Sequence, residues 1–266
     1  MRRPESAMSP AFDRSAFQRD GFRIIPLLSQ AEVIDLRSAL SAMTAACDDL
    51  GQHPSGARFA VEKGADPSDR SGRELGIRKY IDLGQALPAF WAVVRDARVR
   101  AILDELHGPG ARLLQSMALV KPPGVGSPKD WHQDSPYFPL DRVDEVVGVW
   151  IALDDATSEN GCMQVVPGSH HAGPVPHVQG PTGWRLEDGA VERMREQVTA
   201  LPMSAGQALI FDGNLWHFTD ANRSRQRRRA LQNHYLSART AMKPGSAFQP
   251  YALDGVTPPY AAPTVG

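Results

Sequence analysis

Arg112-Leu113-Leu114-Gln115-Ser116-Met117-Ala118-Leu119-Val120 is the stretch at which the chain changes texture. Largely apolar and set off by glycine and proline, it reads as a short β-strand. Four similar runs follow, at residues 146–153, 163–166, 207–211 and 229–236, again separated by turn residues. Short strands with regular turn signals predict a β-sandwich or closed β architecture.

Before residue 112 the period is helical. Residues 88–107 carry Phe90, Trp91, Val94, Ile102, Leu103 and Leu106 as the apolar members of a helix. Further back, Ser29 and Glu32 have the spacing of a capping box, and Val33, Leu36, Leu40, Met43 and Cys47 then recur at steps of three and four. A polar helix near residues 12–20 and a strand at 22–28 precede them. The chain is thus expected to be one mainly β domain over residues 1–266, with a helical flank at about 10–107, a β core at about 108–240 and an irregular, proline-rich tail at 241–266. Residues 48–76 are polar and rich in Gly, Pro, Asp and Ser, which predicts a lid or an unstructured segment.

With 29 basic and 30 acidic side chains, no global field favours nucleic acid or a membrane, so the expected partner is a small molecule. Arg223, Arg225, Arg227, Arg228 and Arg229 crowd seven residues, but without interleaved aromatics they read as a turn entering a strand, with solvated outward arginines and Arg228 facing inward. Cys47 and Cys162 are far apart and match no ligand spacing, which fits a reducing compartment. No apolar stretch reaches bilayer length, so a cytoplasmic protein is expected.

The chemistry concentrates at Trp131-His132-Gln133-Asp134. On an extended strand His132 and Asp134 would project from the same face. His217 follows the apolar run 208–211 and the turn Asp212-Gly213-Asn214. Two histidines and a carboxylate on one face of an octahedron, with the other face open, suit a non-haem iron(II) oxygenase. Arg228 lies eleven residues after His217. Its planar fork suits the far carboxylate of a dicarboxylate co-substrate, and Thr219 could add a hydroxyl. Iron(II), Asp134, Arg228 and 2-oxoglutarate together would leave no unpaired charge.

Four stretches carry a resemblance to the phytanoyl-CoA dioxygenase family. They are Met117-Ala118-Leu119-Val120-Lys121-Pro122-Pro123-Gly124, His132-Gln133-Asp134-Ser135-Pro136-Tyr137-Phe138-Pro139, Asn160-Gly161-Cys162-Met163-Gln164-Val165-Val166-Pro167-Gly168-Ser169-His170, and residues 217–228. The resemblance implies a double-stranded β-helix, a jelly-roll relative of the cupins. It implies His132, Asp134 and His217 as iron ligands, and Lys79, Met117, Trp150, Thr219 and Arg228 as 2-oxoglutarate contacts. It further implies a dioxygenase that consumes 2-oxoglutarate and dioxygen, releases succinate and carbon dioxide, and hydroxylates or otherwise oxidises a substrate C–H bond. Asp134 favours this over halogenation, for which related enzymes carry a small residue at that place. Phe218 departs from the family's small residues and would narrow the pocket.

Other readings stay open on the residues alone. A zinc-dependent hydrolase or metal-binding cupin could use the same triad, and a silent binding protein could share the fold. His170, His171 and His177 sit in a Gly- and Pro-rich stretch and read as surface histidines. Trp184 either lines the substrate pocket or anchors its loop.

Overall fold

The computed structural model describes residues 12–261, except 67, 70, 71 and 188. Side chains alternate across each β-run, and what lies on the two faces builds the fold. The strands are β1 (Phe22–Pro26), β2 (Arg58–Val61), β3 (Ile77–Ile81), β4 (Arg112–Lys121), β5 (Lys129–His132), β6 (Val146–Ala152), β7 (Met163–Val165), β8 (His177–Gly180), β9 (Gly183–Leu186), β10 (Thr199–Leu201), β11 (Gln207–Asp212), β12 (His217–Thr219), β13 (Arg228–Leu236) and β14 (Tyr251–Ala252). The large sheet runs β1-β11-β6-β13-β4-β3-β2, with β14 also pairing β4, and the smaller one runs β10-β7-β12-β5. Strands β8 and β9 form a separate hairpin. Every pairing is antiparallel, and the two sheets make the jelly-roll core with helices on its flank.

One face of the large sheet is covered by helices. Leu231 and Tyr235 of β13, Val147, Val149 and Ile151 of β6, and Ala208 and Ile210 of β11 share a core with Leu36, Leu40, Met43, Phe90, Trp91 and Leu103. On the other face Trp150, Ala152, Leu209, Phe211 and Ala230 meet Met163 and Val165 of the small sheet. Arg228, Gln232 and His234 have the same phase as Ala230 and line a cavity between the sheets.

The capping box forms as the spacing requires: Ser29 N donates to Glu32 at 2.7 Å, Glu32 N donates back to Ser29 Oγ at 3.3 Å, and helix Gln30–Ala46 follows. The expected helix over 88–107 is two, Pro88–Val94 and Ala97–His107. Asp96 accepts from Arg98 N at 2.8 Å, capping the second helix and ending any continuous ladder. Among the described residues no helix is long and apolar enough to cross a membrane.

Two expectations are corrected. The segment 48–76 is not a free lid: it contributes β2, which pairs with β3 at the sheet edge, and a helical turn at Arg73–Gly76. Its polar composition concealed a strand whose Ala60 and Val61 line the cavity. The tail is not irregular throughout either. It supplies β14 on β4 and buried Leu253, and Trp91 Nε1 and Arg95 Nε donate to the carbonyls of Gly255 and Leu253 at 2.9 and 3.0 Å. Residues 262–266 lie outside the described part.

Gly148 shows how closely the sheets are packed. It pairs with Phe211, and a Cβ there would come 2.2 Å from the Phe211 ring, which itself packs 5.2 Å from the His217 ring. Gly148→Ala is expected to cost about 1–3 kcal/mol of overpacking. Urea unfolding checks this, and an unchanged midpoint would mean that the ring has room to move.

Candidate metal centre

His132 ends β5 and His217 begins β12, and the two are directly paired across the small sheet. Their rings stand 4.1 Å apart. Asp134 reaches them differently from the way its spacing suggests. The chain leaves β5 after His132, and Asp134 has φ −81° and ψ −38°, heading a 3-10 turn at Ser135–Tyr137. Its N–H and that of Ser135 both donate to Gly213 O at 2.9 Å, tying this turn to the one before β12. A tertiary contact between two turns, not the pleat of one strand, brings the carboxylate in.

The result is a buried cluster whose ligand atoms lie within 4.8 Å of one another. Asp134 Oδ1 is 3.4 Å from His132 Nε2 and 3.6 Å from His217 Nε2. Each imidazole donates its Nδ1–H to a backbone carbonyl, Asp130 O at 2.7 Å and Leu215 O at 2.9 Å. That fixes the tautomer and aims both Nε2 lone pairs at the centre. Burial, with repulsion from His132, pushes His217 down to about 3, so its imidazole is neutral and free to ligate at pH 7. Burial works against the Asp134 carboxylate, but His217, His234 and His132 outweigh it and hold its pKa well below the usual value.

The other oxygen of Asp134 is already engaged. Gln232 Nε2 and His234 Nε2 lie 2.9 and 2.8 Å from Oδ2, leaving Oδ1 for an ion. Sequence reading missed both residues, although two polar side chains in phase with Arg228 on an otherwise apolar strand were a usable signal. They orient the carboxylate. His234→Ala and Gln232→Ala are each expected to weaken metal binding by roughly 10- to 100-fold. A competitive metal titration reads this, and unaltered affinity would mean that the carboxylate is held well enough without them.

Gln133, fully buried, was also missed. Its amide donates to Gly173 O at 2.8 Å and Asn214 O at 2.6 Å and accepts from Val175 N at 2.9 Å. Its own N–H donates to His177 Nε2 at 3.0 Å. His177 thus braces the turn that carries Asp134, while His170 bonds Gln18 O at 3.0 Å, and neither they nor His171 line the cavity.

That cavity, about 600 Å³, opens beside the triad and is lined by all five remaining candidates, Lys79, Met117, Trp150, Thr219 and Arg228. Arg228 is buried, its guanidinium 5.4 Å from the Trp150 ring centre and 3.5 Å from Leu119 O. Burial lowers it to about 10, so it keeps its charge at neutral pH. Arg228 Nε and Trp150 Nε1 are buried without an acceptor. Such atoms are costly unless a ligand satisfies them. Two imidazoles, one carboxylate oxygen and an uncompensated arginine on one cavity fit iron(II) with a dicarboxylate.

Two details differ from expectation, and Trp184 takes one of its two open readings. Phe218 stacks on Trp131 at 5.4 Å and does not line the cavity, so it does not narrow it. The flanking arginines are not merely solvated: Arg227 pairs with Glu74 at 2.8 Å and Arg229 with Asp154 at 2.7 Å. Trp184, 54% exposed, lines the cavity from β9.

The sequence profile described as phytanoyl-CoA dioxygenase (PhyH) matches residues 17–230. The phytanoyl-CoA dioxygenase domain-containing protein 1 of Mus musculus is 31% identical over 210 residues, 73% of this chain and 70% of that protein. Among solved structures, the non-haem monooxygenase ThoJ in its apo form superposes with a TM-score of 0.71 at 22% identity, covering 91% of this chain and 83% of that one. EctD from S. alaskensis, solved with 2-oxoglutarate and 5-hydroxyectoine, gives 0.70 at 21% identity, covering 86% and 76%. The chain belongs to the phytanoyl-CoA dioxygenase family and, with it, to the non-haem iron(II)- and 2-oxoglutarate-dependent oxygenases.

Proposed function

We propose that the protein binds iron(II) through His132, Asp134 and His217 and holds 2-oxoglutarate with its far carboxylate on Arg228. It then oxidises an unactivated C–H bond of a small organic molecule, releasing succinate and carbon dioxide. The observation that carries this reading is the buried, unpaired Arg228 on the same cavity as the triad.

Bound iron(II) supplies the activation of dioxygen that side chains alone lack. The chain's own residues do the rest. Arg228 offers a two-pronged donor set, Thr219 a hydroxyl, and Trp150 a flat wall under the guanidinium. Met117 and Leu119 exclude water beside them. Lys79, half-buried on the same wall, adds a second positive charge. A cavity of about 600 Å³ is the size that takes one drug-sized ligand. With 2-oxoglutarate in place, what is left suits a compact substrate better than a whole coenzyme A thioester.

The test needs no substrate. Anaerobic, metal-stripped protein is titrated with iron(II) and then 2-oxoglutarate while the visible spectrum is followed, and succinate is assayed after air is admitted. A weak charge-transfer band requiring both additions, followed by slow succinate formation, is the expected result. Zinc binding with no response to 2-oxoglutarate would turn the assignment towards a hydrolase.

A further inference from the structure

The cavity wall carries far more positive than negative charge. Arg78, Lys79, Lys121, Lys129 and Arg228 line it, against Glu62 and Asp134. None of the five cations has a carboxylate within ion-pair distance among the described residues. Glu62 is turned to Ser127, accepting from its N–H at 3.2 Å and its hydroxyl at 2.8 Å. Lys121 donates to Ser127 O at 2.5 Å, and Lys129 meets Tyr137 Oη at 2.7 Å and the carbonyls of Trp184 and Thr182 at 3.0 and 3.5 Å. None of these partners is a carboxylate; Glu62 and Asp220 act on Lys121, and Asp134 and Asp130 on Lys129, only at longer range.

Iron(II), Asp134, Arg228 and a doubly charged 2-oxoglutarate cancel one another. Arg78, Lys79, Lys121 and Lys129 then share the wall with one further carboxylate, Glu62, while Asp220 and Asp130 act on Lys121 and Lys129 from outside the lining. Gathering like charges in a partly desolvated pocket costs free energy that nothing in the fold returns, and an anionic ligand removes that cost. The strain registers at Lys121, which burial first, then Arg228 and Arg78, push down to about 6, so that it is largely neutral at pH 7 in the empty cavity and takes up its proton as an anion enters. Lys129 is lowered to about 8, chiefly by burial. Val61, Leu119, Phe138, Met163, Trp184 and Phe248 add apolar surface to the same wall.

We infer that the substrate is a small anion, an apolar body bearing a carboxylate or phosphate group, and that Arg78, Lys121 and Lys129 hold this group while Arg228 holds 2-oxoglutarate. The inference rests on the proposed function in giving Arg228 to the co-substrate.

The test titrates the anaerobic iron(II)- and 2-oxoglutarate-loaded protein calorimetrically with four probes of one body: 3-phenylpropionate, 2-phenylethyl phosphate, 3-phenylpropanol and 3-phenylpropylamine. The charge-transfer band is followed in parallel, so that displacement of 2-oxoglutarate is seen. One anion is expected to bind roughly tenfold or more tightly than the alcohol, with the amine weakest. Which anion leads separates a carboxylate from a phosphate substrate. The preference should shrink with added salt and collapse in Arg78→Gln and Lys129→Gln, both retaining the band. No preference among the four probes, including binding by none, or a preference that survives both variants, overturns the inference. Absence of the band from the unaltered protein would instead sink the oxygenase reading, and ranking the probes on metal-free Arg228→Ala protein, in which Arg228 cannot itself take the anion, would still decide this one.

Discussion

His217→Ala is expected to abolish iron(II) binding and to lower succinate formation on the order of a thousandfold or more, equivalent to about 4 kcal/mol. His217 is buried, its Nδ1–H is spent on Leu215 O, and its Nε2 has no role in the fold beyond facing Asp134 and His132. Removing it takes one of the three donors from the ion and leaves the sheet intact, because β12 pairs with β5 and β7 through backbone groups. Metal content by elemental analysis and thermal unfolding with and without iron(II) are the measurements. Iron should raise the melting temperature of the unaltered protein and leave that of the variant unmoved. Full iron occupancy in the variant would mean that another group ligates, and His234, 2.8 Å from Asp134 Oδ2, would be the group to examine.

Arg228→Ala is expected to raise the 2-oxoglutarate requirement by roughly a hundredfold, about 3 kcal/mol, the scale for removing one partner from a buried charge-assisted pair. Stability should move the other way from habit. Without co-substrate Arg228 is a buried charge with one long hydrogen bond to a carbonyl and an unsatisfied Nε, so its removal is expected to leave the melting temperature of the metal-free protein unchanged or higher. Arg228→Lys keeps the charge without the fork and should recover only part of the affinity. The spectral titration separates these outcomes. If 2-oxoglutarate binds Arg228→Ala as tightly as the unaltered protein, its carboxylate sits elsewhere, and Lys79, two strands away on the same sheet, becomes the candidate.

Much of this was legible in the residues. The period of three to four over 33–47 and the capping box at Ser29 marked a helix that forms. The apolar runs beginning at 112, 146, 163, 207 and 229 became β4, β6, β7, β11 and β13, with bounds shifted by a residue or so. Short strands with little apolar pattern, β2, β5, β8, β9, β10, β12 and β14, left no such trace. A three-residue strand such as β12 exists because β5 and β7 flank it, and its own side chains need show no alternation.

The same division runs through the site. Sequence alone marked His132, Asp134 and His217 as candidate donors, His217 just past the strand and turn that precede it, and an arginine at the head of β13. These are local facts, set by residue identity and by periods of two or three to four along one segment. Only the tertiary structure decided that Asp134 arrives through a turn tied to Gly213 O, that Gln232 and His234 occupy its second oxygen, and that Gln133 clamps that turn to residues 173–175 and Asn214. It alone gathered Arg78, Lys121 and Lys129 around one cavity from three separate segments. Such contacts join residues 40 to 100 positions apart, and they depend on which faces two sheets turn toward each other, information that no window of neighbouring residues contains.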